Sequence, residues 1–248
     1  MIKAGMFQLF ETLGQIDIGQ AYRQCVDEAV FGEEIGFDAV CPAEHHFGAN
    51  YGIMPQTEMF LSWVAARTSR IRLWPMVMVA PIHEPLRLAE RVAMLDQFSQ
   101  GRMVFSVGTG YRKYEFDGLG VDINDSTDRL RECMDICMQA FGDGKVNHQG
   151  KHFQVNDVEV FPKPYQSPRP PVYLTTARDD SVRWAASQGY GVLPAAGFSP
   201  FELKHTYDIH DQVSREHGHG ILETRPFFKW IYVDEDENRA REVAQNYF

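Results

Sequence analysis

No stretch of this sequence is long and apolar enough to cross a bilayer, which takes roughly 18 to 20 such residues. The N-terminus, "MIKAGMFQLF", has one Lys and no apolar core of signal-peptide length. Cytoplasmic residence is the resulting expectation. No C-x-x-C pair occurs among the four cysteines, so a redox dithiol or zinc ribbon has no basis. Cys133 and Cys137 lie four apart in a helical pattern and read, with Cys25 and Cys41, as small buried hydrophobes. Positive charge is scarce. The net charge is −10 and the pI about 5.3, so phosphate backbones and anionic lipid are repelled. Nucleic acid and membrane are therefore not expected partners. Internal repeats, low-complexity tracts and composition shifts are also missing, which argues for a single domain over residues 1–248.

What is present is alternation. Short apolar runs ("GMFQLF", "DAVCP", "IRLWPMVMVAP", "RMVFSVG", "PVYLTTA", "GVLPAA", "PFFKWIYV") are each followed by a helical pattern or the start of one. Gly36 reads as a helix stop, Pro85 as a helix start, and Ser126 or Thr127 as a cap. The segment from about 145 to 171 breaks the rhythm with short alternating runs and five prolines. It reads as a surface hairpin and an extended connector. Strand–helix repetition predicts parallel pairing, and runs apolar on both faces predict strands covered on both sides. A doubly wound sheet would carry G-x-G-x-x-G after the first strand, where this chain has "FETLGQID". The expected fold is a TIM (β/α)8-type barrel, with seven strands countable and the last strand–helix unit missing from this chain.

Active sites of such barrels sit at the C-terminal ends of the strands. There the sequence reads "AEHHF": Glu44, His45 and His46 close the second run. Adjacent strand residues point to opposite faces, so Glu44 and His46 share a side and His45 faces away. Two ligands on one side fall short of the three that a catalytic zinc uses, and no H-x-H or H-x-x-x-H supplies more. His83 and Glu84 stand at the next strand end, and Arg112 and Arg178 at later ones. The residue types suit general acid–base work, since His titrates near neutrality and Glu can orient it. A hydrolase with paired carboxylates has only Glu44 and Glu84 to draw on.

These residues resemble the bacterial luciferase-like, flavin-dependent monooxygenase family. The likeness rests on "AEHHF", on "HEPLRLAERVAMLDQFSQGRMVFSVGTGYRKYEF", and on the Pro-rich connector "FPKPYQSPRPPVYLTTARDDSVRWAASQG". The resemblance runs from residue 1 to about residue 190. It implies a barrel that binds reduced FMN, supplied by a separate reductase, and uses O2. A C4a-peroxyflavin would then oxygenate a small-to-medium apolar substrate such as an aldehyde or ketone. A homodimer or heterodimer is also implied. By resemblance His45 is the catalytic histidine, Glu44 orients or polarises, and His46 supports. Met76 and Val77 match a non-proline cis peptide beneath the isoalloxazine. Gly108, Thr109 and Arg112 match the flavin-contacting end of the fourth strand. Luciferase has Arg where this chain has Thr109, which leaves Arg178 and Ser181 as phosphate candidates. An alternative for Arg178 is a surface ion pair with Asp179 or Asp180. Phe47, Tyr51 and Met54 either shield the flavin or simply pack their loop. Two alternatives stay open: a deazaflavin (F420)-dependent oxidoreductase of the same superfamily, and a flavin-binding protein without catalysis.

Overall fold

The structure, a computed structural model, describes residues 3–11, 17–48 and 52–247. The chain divides into two compact units, residues 1–175 and 176–248.

The first unit begins with β1 (Gly5–Gln8), α1 (Ile18–Ile35), β2 (Ala39–Pro42), α2 (Thr57–Arg67) and β3 (Arg72–Leu73). It continues with β4 (Met78–Val79), α3 (Pro85–Phe98), β5 (Phe105–Gly108), α4 (Lys113–Leu119) and α5 (Ser126–Phe141). The hairpin β6 (Val146–Gln149) and β7 (Gln154–Val158) follows, then β8 (Val172–Thr176) at the boundary. All pairing outside the hairpin is parallel here: β1 with β2, β2 with β3, β4 with β5, and β5 with β8. Parallel strands need a crossover, and the intervening helices supply it. β2 and β5 are buried along their whole length, as strands covered on both faces must be. The expected hairpin is antiparallel, with Val146 opposite Val158.

Local signals account for several boundaries. Asp17 caps α1 by accepting from the Gln20 N–H, and Gly36 ends it with φ of 103°. Pro85 opens α3, where the Glu84 carboxylate accepts from the Leu86 and Arg87 N–H groups. Glu84 is therefore a helix cap. The cap position of α5 falls on Asp125, one residue before Ser126 and two before Thr127, the expected caps, because a short 3-10 turn runs straight into the helix. Two expected strands differ. "IRLWPMVMVAP" divides into β3 and β4 around Pro75, which has no N–H for a ladder. "PFFKWIYV", residues 226–233, joins no strand ladder among the described residues. Ile231 and Val233 are about four-fifths exposed, and a strand exists only through its partner.

The second unit holds α6 (Asp179–Ser187), β9 (Gly191–Pro194), α7 (Pro200–Glu216) and α8 (Glu237–Tyr247). A Ser199–Glu202 capping box starts α7. α6 packs on α7, and the buried His210 ring donates to the Tyr190 carbonyl at 2.8 Å. Cys41, Cys133 and Cys137 are buried, and all four cysteines are free thiols.

Arg102 ties the first unit together. Its guanidinium donates to the Ser99, Ala65, Thr68 and Ile71 carbonyls and to the Thr68 hydroxyl, at 2.9–3.3 Å. A lysine ammonium cannot reproduce that planar fork. Arg102→Lys is expected to cost about 2 kcal/mol, since carbonyls lose their donors. Urea unfolding should show a lower midpoint with an unchanged slope. An unchanged midpoint would contradict the role.

Candidate active site

The extended chain leaving β2 buries three consecutive ionisable side chains, Glu44, His45 and His46. The strand-like alternation holds. Glu44 and His46 lie on one side, with His46 Nε2 2.8 Å from Glu44 Oε1. His45 points away, and its Nδ1 lies 3.1 Å from Glu115 Oε1.

Glu44 gathers donors from two further elements. The Val79 N–H donates to Oε2 at 2.8 Å, and His83 Nε2 sits 3.0 and 3.1 Å from the two oxygens. His83 Nδ1 lies 2.9 Å from Arg91 Nη2, and Arg91 Nε donates to the buried Glu58. A guanidinium only donates, so in the neutral His83 ring Nδ1 is bare and Nε2–H faces Glu44. Burial alone would raise the Glu44 pKa. The His83 charge and the hydrogen bonds of His46, His83 and Val79 outweigh it and hold the carboxyl at about 2. Burial pulls His83 down, but the facing Glu44 carboxylate leaves its pKa raised.

Glu115, in the first turn of α4, is the partner of His45. Its Oε1 also accepts the His46 N–H at 3.0 Å, and Arg112 Nη1 stands 3.9 Å away. With Nδ1–H donating to this carboxylate, Nε2 is the proton-exchanging atom of His45. Burial and then the Arg112 charge lower the His45 pKa, against the pull of Glu115. The Tyr111 ring meets the imidazole edge to face, with centroids 6.1 Å apart. Gly52, at φ of 74°, lies where a Cβ would come within 2.4 Å of the His45 Cβ. A shallow cleft of about 370 Å³ opens beside the ring, lined by Ile18, Tyr22, Phe47, Ile53 and Pro55. Met54 is buried and its carbonyl accepts the His45 N–H, whereas Phe47 is exposed at the cleft. Tyr51 lies outside the described residues.

The Met76–Val77 peptide is cis. The Met76 N–H donates to the Pro42 carbonyl and the Glu44 N–H to the Val77 carbonyl, so this bend is laced to the Glu–His–His segment. Gly108 closes β5 where a side chain would meet Val77 within 2.8 Å. Thr109 is half-buried one residue on, and Arg112 bonds the Tyr111 and Tyr114 hydroxyls. Beside Gly108 in the ladder, Thr175 Oγ1 is buried without a hydrogen-bond partner among the described residues, as is Ser106 Oγ on β5. Such orphaned polar atoms fit a flat ring with polar edges. Arg178 and Ser181 belong to the second unit, at the start of α6. Arg178 is exposed and forks onto Asp180 at 2.5 and 3.1 Å, so a phosphate there would compete with that carboxylate.

Glu44, His46 and His83 thus form one group, with His45 and Glu115 on the other side of the strand. Sequence reasoning does not single out Glu115, Arg91 or Glu58. Arg91 and Glu58 carry one sequence signal, a polar residue among apolar ones at helical spacing, and Glu115 carries none.

The Luciferase-like monooxygenase family matches residues 2–248, and the chain belongs to that family. It is 37% identical over 189 residues to the y4wF protein of Sinorhizobium fredii (strain NBRC 101917 / NGR234), covering 75% of this chain and 55% of that one. The chain thus spans about half the length of the first curated relatives it matches. It is 26% identical to the alkanal monooxygenase alpha chain of the Kryptophanaron alfredi symbiont, over 99% of this chain and 69% of that one. The monooxygenase RslO1 of Streptomyces bottropensis superposes with a TM-score of 0.91 at 27% identity, over 99% of this chain and 76% of that one. An F420-dependent secondary alcohol dehydrogenase shares the fold alone, with a TM-score of 0.80 at 22% identity over 99% and 74% of the two chains. The fold class is therefore α/β of the TIM-barrel type found in luciferase-like enzymes. Among the described residues no helix is long and apolar enough to cross a membrane.

A carboxyl whose folded pKa lies below its ordinary 4.5 stabilises the fold fully above that value. The contribution fades as pH falls from there toward about 2. Glu44→Gln should be less stable than the parent at about pH 7 and show a flatter stability curve across that acid window. Urea midpoints over pH measure this, and parallel curves would contradict it.

Proposed function

We propose that the protein is a monooxygenase that uses reduced FMN and O2 to oxygenate a small-to-medium apolar substrate, such as an aldehyde or ketone. The observation that carries this reading is His45, held by Glu115 at Nδ1 and set beside an apolar cleft. Reduced FMN, when bound, supplies the two electrons that leave one oxygen atom on the substrate and the other in water. Met76, Val77, Gly108 and Thr109, with the unpartnered Thr175 and Ser106 hydroxyls, would hold its ring. In the second unit, Arg178 and the N–H groups around Ser181 remain candidates for binding a phosphate, which would displace Asp180. His45 Nε2 places or removes the proton the reaction requires, while Glu115 fixes the tautomer. Glu44 and His46 brace the strand end from its other side, and the apolar lining limits water.

Membership of a family that includes alkanal monooxygenases, and the likeness to RslO1, support O2 chemistry over hydride transfer by a deazaflavin. The F420-dependent fold neighbour keeps the second reading in view. A separate reductase as the source of reduced flavin belongs to this proposal. So does a dimer, since α1, α2 and α3 each expose an apolar pair at helical spacing: Phe31 and Ile35, Met59 and Trp63, Met94 and Phe98. One functional domain over residues 1–248 accords with a family match across both units.

With chemically reduced FMN, O2 and a medium-chain aldehyde, the parent protein should give oxygenated product. His45→Ala should lose on the order of 10²- to 10⁴-fold in product formation. Glu115→Gln should lose less and shift the pH profile. O2 uptake without product marks uncoupling and fits the role. Turnover only with reduced F420 and no O2 uptake would favour the second reading, and full turnover in His45→Ala would contradict the assignment.

A further inference from the structure

The turn of the β6–β7 hairpin buries an imidazole nitrogen that makes no hydrogen bond among the described residues. The His152 side chain is 9% exposed, and its Nε2 has no hydrogen-bond partner among the described residues. A buried polar atom left so is costly and calls for an explanation. The turn itself is firmly held. The Lys151, His152 and Phe153 N–H groups all donate to the Glu132 carboxylate on α5, at 2.9–3.3 Å. That anchorage sets the imidazole against the N-terminus of α5, where Asp125 holds the cap position and Asp128 lies in the first turn. His152 Nε2 stands 3.7 Å from Asp125 Oδ1. One donor atom each from Asp125, Asp128 and His152 lies within 4.8 Å of the other two.

A cation already uses this place. Lys151 Nζ is 2.7 Å from Asp125 Oδ1 and 4.0 Å from Asp128 Oδ2. The ammonium serves the carboxylates and leaves the imidazole unserved. Two carboxylates and a neutral imidazole balance a doubly charged ion, and the nitrogen selects among such ions. Magnesium and calcium favour all-oxygen shells, whereas zinc and its first-row neighbours accept mixed nitrogen and oxygen donors. The exposed side of Asp128 leaves room for water to complete the shell.

We propose that Asp125, Asp128 and His152 form a binding site for a first-row divalent metal ion of the zinc class, entered by displacing the Lys151 ammonium. The ion clips the hairpin to the start of α5. None of its ligands belongs to the group around His45, so the site is structural and independent of the oxygenase reading.

Untagged protein, freed of metal with a chelator, should be titrated with zinc chloride in a calorimeter. The expected result is one zinc per chain. His152→Ala and Asp128→Asn should each weaken binding by on the order of 10- to 100-fold, at least what loss of a supporting contact costs. Lys151→Met should tighten binding by removing the competing charge. Asp128 is exposed, so Asp128→Asn still tests the site if His152→Ala folds poorly. No binding to the parent, binding that both ligand variants leave untouched, or weaker binding in Lys151→Met would overturn the proposal.

Discussion

The buried Glu44 carboxylate is the constraint on which the candidate site depends. An ionised carboxyl sealed from water is tolerable only if its lone pairs are met by donors. His46, His83 and the Val79 N–H meet them, and they come from three places along the chain. One side chain therefore fixes the ends of β2 and β4 and the turn before α3. Arg91 and Glu58 carry the same charge chain outward to α3 and α2.

With that side of the strand committed, His45 turns the other way and meets Glu115. Glu44 and Glu115 thus hold the two histidines from opposite sides of the segment. The cis bend at Met76–Val77 is bonded on both sides to the same segment, and Gly108 lets β5 close against it. A site on strand ends rather than on long loops holds its geometry before any ligand arrives.

Much of this is legible in the sequence. The period-two rule alone separates His45 from Glu44 and His46, because strand geometry is local. Helix limits at Gly36 and Pro85 follow from backbone chemistry. The cis peptide is accessible only through family likeness, since no local rule marks Met76–Val77. Glu115 is not legible: it meets His45 across 70 residues, and nothing nearby distinguishes it from a solvated helix glutamate. Residues 226–233 alternate like a strand, but pattern specifies a strand only when a partner edge is there to pair. Arg178 illustrates the same limit, since its neighbour Asp180 engages the guanidinium that a phosphate would need.

If Glu44 organises the site in this way, the histidines on its two sides titrate in opposite directions. Burial and Arg112 push His45 below the ordinary imidazole value of 6.5, while Glu44 holds His83 above it. Nitrogen-15 NMR of the ring nitrogens over a pH series measures both, and reads the tautomers directly. The expected result is that His45 gives up its charge at lower pH than His83, and that neutral His83 carries its proton on Nε2. The reverse order, or a neutral His83 protonated on Nδ1, would contradict the central role of Glu44.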